Sequence, residues 1–202
     1  VSRPPAAPER PTEGWTPPEG MIAGDCMRPD LHFDADGTAH LLWMSATDIL
    51  HAVRDSSGWS VPDTLHDSSD LVFKFGSERG PDGELWYVFH GRAGGGRKIY
   101  AGHSEDGVWL PPERLDPDDG FLHFSPNLAV GEDVVWVTWY SKPYHAYPTD
   151  HVLAIRGTSE GWGDPVKITA GMEGDHWFSD VAVDGDGRAH LVWGDSEAGL
   201  YY

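Results

Sequence analysis

Short apolar runs alternate with turn residues along the whole chain, and the alternation repeats. A first phrase reads "PDLHFDADGTAHLLW" at 29–43, "GPDGELWYVF" at 80–89, "PNLAVGEDVVWVTW" at 126–139 and "SDVAVDGDGRAHLVW" at 179–193. Each copy is two strand-length runs around a tight acidic or glycine turn, such as Asp36-Gly37, Asp82-Gly83 or Asp186-Gly187. Each ends on an aromatic: Trp43, Phe89, Trp139 or Trp193. Period-two alternation around an Asp-Gly turn predicts a β-hairpin. A second phrase follows: "ILHAVRDSSGWSVPDTL" at 49–65, "IYAGHSEDGVWLPPERL" at 99–115 and "VLAIRGTSEGWGDPVKI" at 152–168. It predicts a third strand, a turn, and a fourth strand opening on Trp59, Trp109 or Trp162. Prolines at 62, 111, 112 and 165 suit an outer edge, because proline has no N–H to give a central ladder.

Two hairpins in a unit of about 50 residues make a four-stranded antiparallel blade, and blades repeated radially make a β-propeller. The expected fold is all-β, a four-bladed β-propeller over 13–202. Its blades are placed approximately at 27–66, 72–116, 123–169, and 177–202 together with 13–21. The fourth repeat reaches its third strand at Leu200-Tyr201-Tyr202, and an orphan fourth-strand phrase, "EGWTPPEGM", stands at 13–21. Pairing the two would put Trp15 beside that strand, close the ring and cover a sheet edge. Residues 1–12, "VSRPPAAPERPT", read as a Pro-rich extended tail. The recurring Trp and Phe are expected to fill the wedges between blades. His40 and His190, at the positions of Trp86 and Trp136, are read as packing residues.

Composition narrows the partners. The chain has 202 residues, Asp+Glu 33 against Lys+Arg 14, and a formal net charge of −19. That field repels phosphate backbones, so no nucleic-acid partner is expected. No run approaches the roughly 20 apolar residues of a membrane helix. The lone Cys26 excludes an intramolecular disulfide and leaves a soluble protein, cytoplasmic or secreted, with a monomer compatible.

"SEDGVW" at 104–109, "DSSGW" at 55–59 and "TSEGW" at 158–162 resemble the Asp-box turn of sialidase-like (BNR-repeat) propellers. The hairpin phrase with its Asp-Gly turn and closing Trp resembles the same repeats. The resemblance covers the chain after about residue 13 and implies the propeller fold. It does not extend to sialidase activity. Sialidases have six blades, an arginine triad and a Tyr/Glu nucleophile pair. Here there is room for four blades, and Arg28, Arg79, Arg92 and Arg97 form no triad pattern.

In a blade, the loop leading into strand one and the loop joining strands two and three reach the same face, and these are the long, irregular loops of this chain. Function concentrates in such loops. The leading loops "GDCMRPD" at 24–30, "HFSPN" at 123–127 and "GDHWFSD" at 174–180 align Cys26, His123 and His176, with Asp70 or Glu78 in the second repeat. Cys, two His and a carboxylate around a channel mouth would suit a divalent metal such as zinc. A metal-free polar pocket is the other reading, because no HxH, HExxH or CxxC spacing stands behind the metal. Asp30, Asn127 and Asp180 form a second, deeper ring. The loop "HGRAGGGRK" at 90–98 offers His90, Arg92 and Arg97 to an anion, and "YSKPYHAYPTDH" at 140–151 offers Tyr140, Tyr144, Tyr147, His145 and His151 to a sugar.

These residues sort into roles. Acid–base work falls to His90, His145, His151, Asp175 and Arg28. Substrate contact falls to Arg92, Tyr140, Tyr144, Trp177, Asp30, Asn127 and Asp180. Metal ligation falls to Cys26, His123 and His176. The expected function is an enzyme acting on a polar small molecule or glycan at the channel mouth, by lyase, isomerase, cyclase or hydrolase chemistry. A lectin-like binding module and a protein-interaction platform are the alternatives.

Overall fold

The computed structural model describes residues 25–67, 72–93, 96–143, 150–197 and 199–202. The expectations for 1–12, for 13–21 with Trp15, and for Asp70, Tyr144, His145 and Tyr147 lie outside the described residues. Within them the chain is all-β, without a helix, and forms four antiparallel sheets in chain order. The first holds β1 (Met27–Phe33), β2 (Ala39–Met44), β3 (Asp48–Asp55), β4 (Gly58–Trp59) and β5 (Asp63–Asp67). The second holds β6 (Val72–Arg79), β7 (Leu85–Ala93), β8 (Gly96–Glu105), β9 (Val108–Trp109) and β10 (Glu113–Arg114). The third holds β11 (Phe121–Val130), β12 (Val135–Pro143), β13 (His151–Thr158), β14 (Gly161–Trp162) and β15 (Val166–Lys167). The fourth holds β16 (His176–Val183), β17 (Ala189–Asp195) and β18 (Gly199–Tyr201). First strands stand beside one another, β1 by β6, β6 by β11 and β11 by β16.

Both predicted hairpins form in the first three repeats and the first of them in the fourth, and the Asp-Gly turns supply the left-handed residue they need at Gly37, Gly83 and Gly187. The predicted single fourth strand is instead two short pieces. A Gly-Trp or Val-Trp pair folds back on the end of strand three, and a second piece pairs further along it, as β4 and β5 do on β3. The prolines between the pieces carry no N–H and break the ladder there.

The core lies between sheets. Leu42, Met44 and Ile49 of the first pack with Val72, Phe75, Leu85, Tyr87 and Phe89 of the second. Val88, Ile99, Ala101 and Leu115 of the second pack with Val135, Val137, Trp139, Leu153 and Ile155 of the third. Each fully buried aliphatic or aromatic side chain contributes about 1.5–3 kcal/mol. His40 and His190 do more than pack. His40 bonds Asp34 and stacks on His51, and His190 bonds Asp184 at 2.9 Å, so each ties its strand to the acidic turn of its own hairpin.

Candidate functional site at the loop-bearing ends of the sheets

The first strand of three sheets carries the same irregularity. Register slips between Met27 and Asp30, Phe124 and Asn127, and Trp177 and Asp180. Inside each slip one residue has positive φ: Arg28 at 51°, Ser125 at 51° and Phe178 at 50°. A side chain other than glycine held there costs about 1–3 kcal/mol, and bulges of this kind re-aim side chains beside functional sites. The second sheet differs. Its slip falls between Val72 and Lys74, so Lys74 opposite His90 takes the place of Phe124 opposite Tyr140.

That substitution seeds a compact cluster. The Arg97 guanidinium lies 3.9 Å from the Phe73 ring centroid and 5.0 Å from that of Phe124. Its Nη1 is 3.3 Å from His90 Nε2, while the Ser125 N–H donates to His90 Nδ1 at 3.3 Å. Both neighbours are donors, and neutral imidazole has a single ring lone pair to offer them. Burial, with Arg97, Lys74 and Arg28 nearby, pushes His90 down to about 3. His90 is therefore neutral near pH 7 and positions Arg97 rather than shuttling protons. Aromatic rings continue the row: Phe124 stacks on Tyr140 at 5.2 Å, and Tyr140 meets the Phe178 edge at 5.9 Å. Burial and the Asp150 carboxylate push the Tyr140 phenol up, against a hydrogen bond with Ser125. Tyr140 thus stays protonated and can donate a proton.

Below the row, Lys74 Nζ donates to Asn127 Oδ1 at 3.0 Å, and the Asn127 amide donates to the Ser179 carbonyl. Burial and Arg28 lower the Lys74 ammonium, with Asp180 opposing them. Glu78 is raised by burial and by Asp180, partly offset by a backbone bond from Val130. Asp30 is engaged by Ser77, whose N–H and hydroxyl donate to it at 2.9 and 3.1 Å.

The structure does not bring Cys26, His123 and His176 together. Among the described residues no group of three His, Cys, Asp or Glu side chains is arranged to hold a metal ion. Cys26 is exposed. His123 is fully buried, accepts from Trp139 Nε1 at 3.0 Å, and faces Asp119 with Nε2 at 3.2 Å. His176 is fully buried with Nδ1 3.0 Å from Asp195. In the second sheet the matching position is Val72, opposite Gly91, and not Glu78, which pairs with Trp86 further down. The two histidines turn into the sheet packing, and Cys26 stands apart at the surface.

The other predicted residues divide. His90, Tyr140, Arg28, Asn127 and Asp180 join the cluster. Asp30 stands next to it, in the first strand. Trp177 touches it through Phe178, with ring centroids 6.4 Å apart. Arg92 lies opposite Arg97 in the β7–β8 ladder and is exposed. His151 bonds Thr169 at 3.2 Å, and Asp175 accepts the Asp150 N–H at 3.1 Å, so both brace loops. Phe73, Lys74, Phe124, Ser125 and Phe178 are the members that sequence reading passed over. Two clefts, of about 540 and 450 Å³, lie at the opposite end among the hairpin turns, and hold none of the predicted residues.

No family model and no curated protein matches the sequence. Solved structures do match the fold. A PL25 ulvan lyase aligns at TM-score 0.60 and 13% identity over 91% of this chain and 55% of its own. An α-L-arabinanase from Penicillium chrysogenum, solved with arabinobiose, aligns at 0.51 and 13% over 88% and 60%. An endo-arabinase from Bacteroides thetaiotaomicron aligns at 0.50 and 14% over 86% and 72%. The chain thus spans little more than half the length of some of these propellers. The likeness establishes a propeller-type fold, and the sialidase-like resemblance has no family match behind it.

Proposed function

We propose that this chain is a glycan-acting enzyme that grips an acidic sugar at the loop-bearing mouth of a four-bladed ring. The observation that carries this is the Arg97 site. In a chain of net charge −19, Arg97, Lys74 and Arg28 gather around one neutral histidine, beside a row of aromatic rings. A planar guanidinium held between rings suits a carboxylate, and flat rings suit sugar faces. The neighbours named above are a lyase and two arabinan-degrading enzymes, which fits a glycan partner.

In the preferred chemistry the uronate carboxylate pairs with Arg97 and Lys74. That pairing acidifies the neighbouring C–H: the Asp180 carboxylate beside Lys74 takes its proton, a C=C bond forms as the bond to the glycosidic oxygen breaks, and Tyr140 gives its phenolic proton to that departing oxygen. The reading assigns no role to a metal. A second reading is hydrolysis, favoured by Glu78: a carboxyl raised by burial beside the Asp180 carboxylate is the pattern of a general acid with its partner.

Purified protein incubated with uronate-bearing polysaccharides and with arabinan separates these. New reducing ends with ultraviolet absorbance of an unsaturated uronate support elimination. Reducing ends without that absorbance support hydrolysis, with loss in Glu78→Gln. Binding without product makes the chain a lectin-like module. Binding and turnover unchanged in Arg97→Ala would remove the proposed site.

A further inference from the structure

Of the two clefts at the hairpin-turn end, the one between the second and third sheets has an aromatic wall. Trp86 and His103 face each other across β7 and β8 and stack at 4.2 Å. Trp162 of β14 stands edge-on to Trp86, with ring centroids 6.0 Å apart. All three line the cleft, of about 450 Å³, and all three are half-buried. Both indoles also pack against the core between the sheets, which holds them in place. A Cβ at Gly157 would lie 2.8 Å from the Trp162 ring, so the bare backbone there lets the indole close on β13. Packing alone does not call for this pair. In the first wedge His40 holds the place of Trp86, and Trp109, at the place of Trp162, gives its N–H to His51 at 3.2 Å.

The rest of the rim is anionic. Asp82, Glu84, Glu105, Glu113, Glu132 and Asp133 line the cleft, and no Lys or Arg does. Ion pairs among the described residues take the cations elsewhere: Lys98 and Arg114 to Asp116 and Asp118, Lys142 to Asp150, and Arg188 to Asp184 and Asp186. Burial and the Asp82, Glu105 and Asp106 carboxylates push the Glu84 carboxyl up, as crowded negative charge does. The other cleft, of about 540 Å³, is acidic too but carries its own cation. Arg156 lines it, opposite Trp136 in the β12–β13 ladder. By register Arg156 stands where His103 stands opposite Trp86. Burial holds the His103 ring below its ordinary value, against Glu105, Glu113 and Asp82, so it is neutral near pH 7. The smaller cleft thus has the tryptophans and the carboxylates without a positive charge in its lining.

We propose that this cleft binds a small organic cation, its alkylammonium or guanidinium head seated against the Trp86–Trp162 corner and faced by the surrounding carboxylates. Aromatic rings, indole best of all, attract such cations through their quadrupole. The acidic lining adds charge complementarity. A metal ion needs several oxygens converging at short range, and among the described residues no three acidic or histidine side chains converge in that way. An organic cation spreads its charge over several methyl or N–H groups, which suits dispersed carboxylates. The cleft lies at the opposite end of the sheets from Arg97, and its occupancy is independent of the acidic-sugar site.

NMR of the indole N–H signals reads the site directly. Choline or methylguanidinium titrated into the wild type at constant ionic strength should shift the Trp86 and Trp162 Nε1–H signals along a saturable curve, and saturation by either one supports the proposal. The neutral isostere of choline, in which carbon replaces the charged nitrogen, should shift them little. His103→Arg copies the other cleft at a position whose counterpart already holds arginine, and sets a guanidinium of the chain's own beside Trp86. It should raise the half-saturating choline concentration at least about tenfold. Arg97→Ala should leave that concentration unchanged. Equal shifts from choline and its neutral isostere would make the cleft merely apolar, and equal shifts from sodium chloride would make it merely an acidic surface. Either result overturns the proposal, as does the absence of any shift at tens of millimolar choline and methylguanidinium, or an unaltered choline curve in folded His103→Arg. The comparison of choline with its isostere decides the matter whether or not that variant folds.

Discussion

His90 offers the sharpest quantitative check on the site. The ring is 4% exposed and sits among Arg97, Lys74 and Arg28, which together with burial bring it down to about 3, from an ordinary 6.5. The folded value lies below the unfolded one. As pH falls through about 6.5 the unfolded chain takes up the proton first, and stability declines by up to about 1.4 kcal/mol per pH unit until about pH 3. Moving from pH 7 to pH 5 should therefore remove about 2 kcal/mol through this one residue. Urea denaturation of the wild type and of His90→Gln at both pH values isolates the contribution. The wild type should lose about 2 kcal/mol more than the variant. His51, pushed down to about 4 by burial and by His40, gives both proteins the same background slope. A companion variant, Arg97→Gln, should move the His90 midpoint upward in an NMR titration. A folded-state midpoint for His90 near its ordinary value, or equal pH slopes in wild type and variant, would refute the electrostatic description of the site.

Three further outcomes follow from the packing and the chemistry. Tyr140→Phe should lower product formation by about 10²-fold while leaving glycan binding near wild type, read by turnover beside calorimetry. His123→Phe should destabilise by about 1–3 kcal/mol in urea melts, because it strands the buried Trp139 N–H, and it should leave metal content unchanged. Gly102→Ala should cost about 1–3 kcal/mol, since a Cβ there would lie 2.5 Å from the ring and hydroxyl of the buried Tyr87. An unchanged melting curve would show that Tyr87 yields freely.

The hairpins were legible because alternation and Asp-Gly turns act locally. Trp43, Phe89, Trp139 and Trp193 take the same register position on strand two in every sheet for the same reason, although β7 and β12 run on past it to Ala93 and Pro143. The site was only half legible. Lining up Cys26, His123 and His176 by counting back from Asp30, Asn127 and Asp180 gives correct equivalence and wrong direction. On a strand successive side chains alternate, and a bulge re-aims those beside it, so one residue of slip decides whether a histidine meets a neighbouring first strand or a tryptophan. Phe73, Phe124 and Phe178 were passed over because they fall outside the repeated hairpin phrases. Lys74 inside "LVFKFG" was the available signal: a cation in an apolar strand needs an anion or an amide to meet it.

Asn127 is the amide it meets, and its place has a consequence for how the sheets respond to an anion beside Lys74. Its oxygen holds Lys74 of the second sheet and its nitrogen holds the Ser179 carbonyl of the fourth. Lys74 cannot turn fully toward an incoming anion without surrendering a bond that helps keep three sheets in step. Ligand capture and the mutual alignment of the inner strands therefore draw on one side chain. If the proposed site takes an anion, its arrival should be felt in how firmly the first strands of the second, third and fourth sheets hold together.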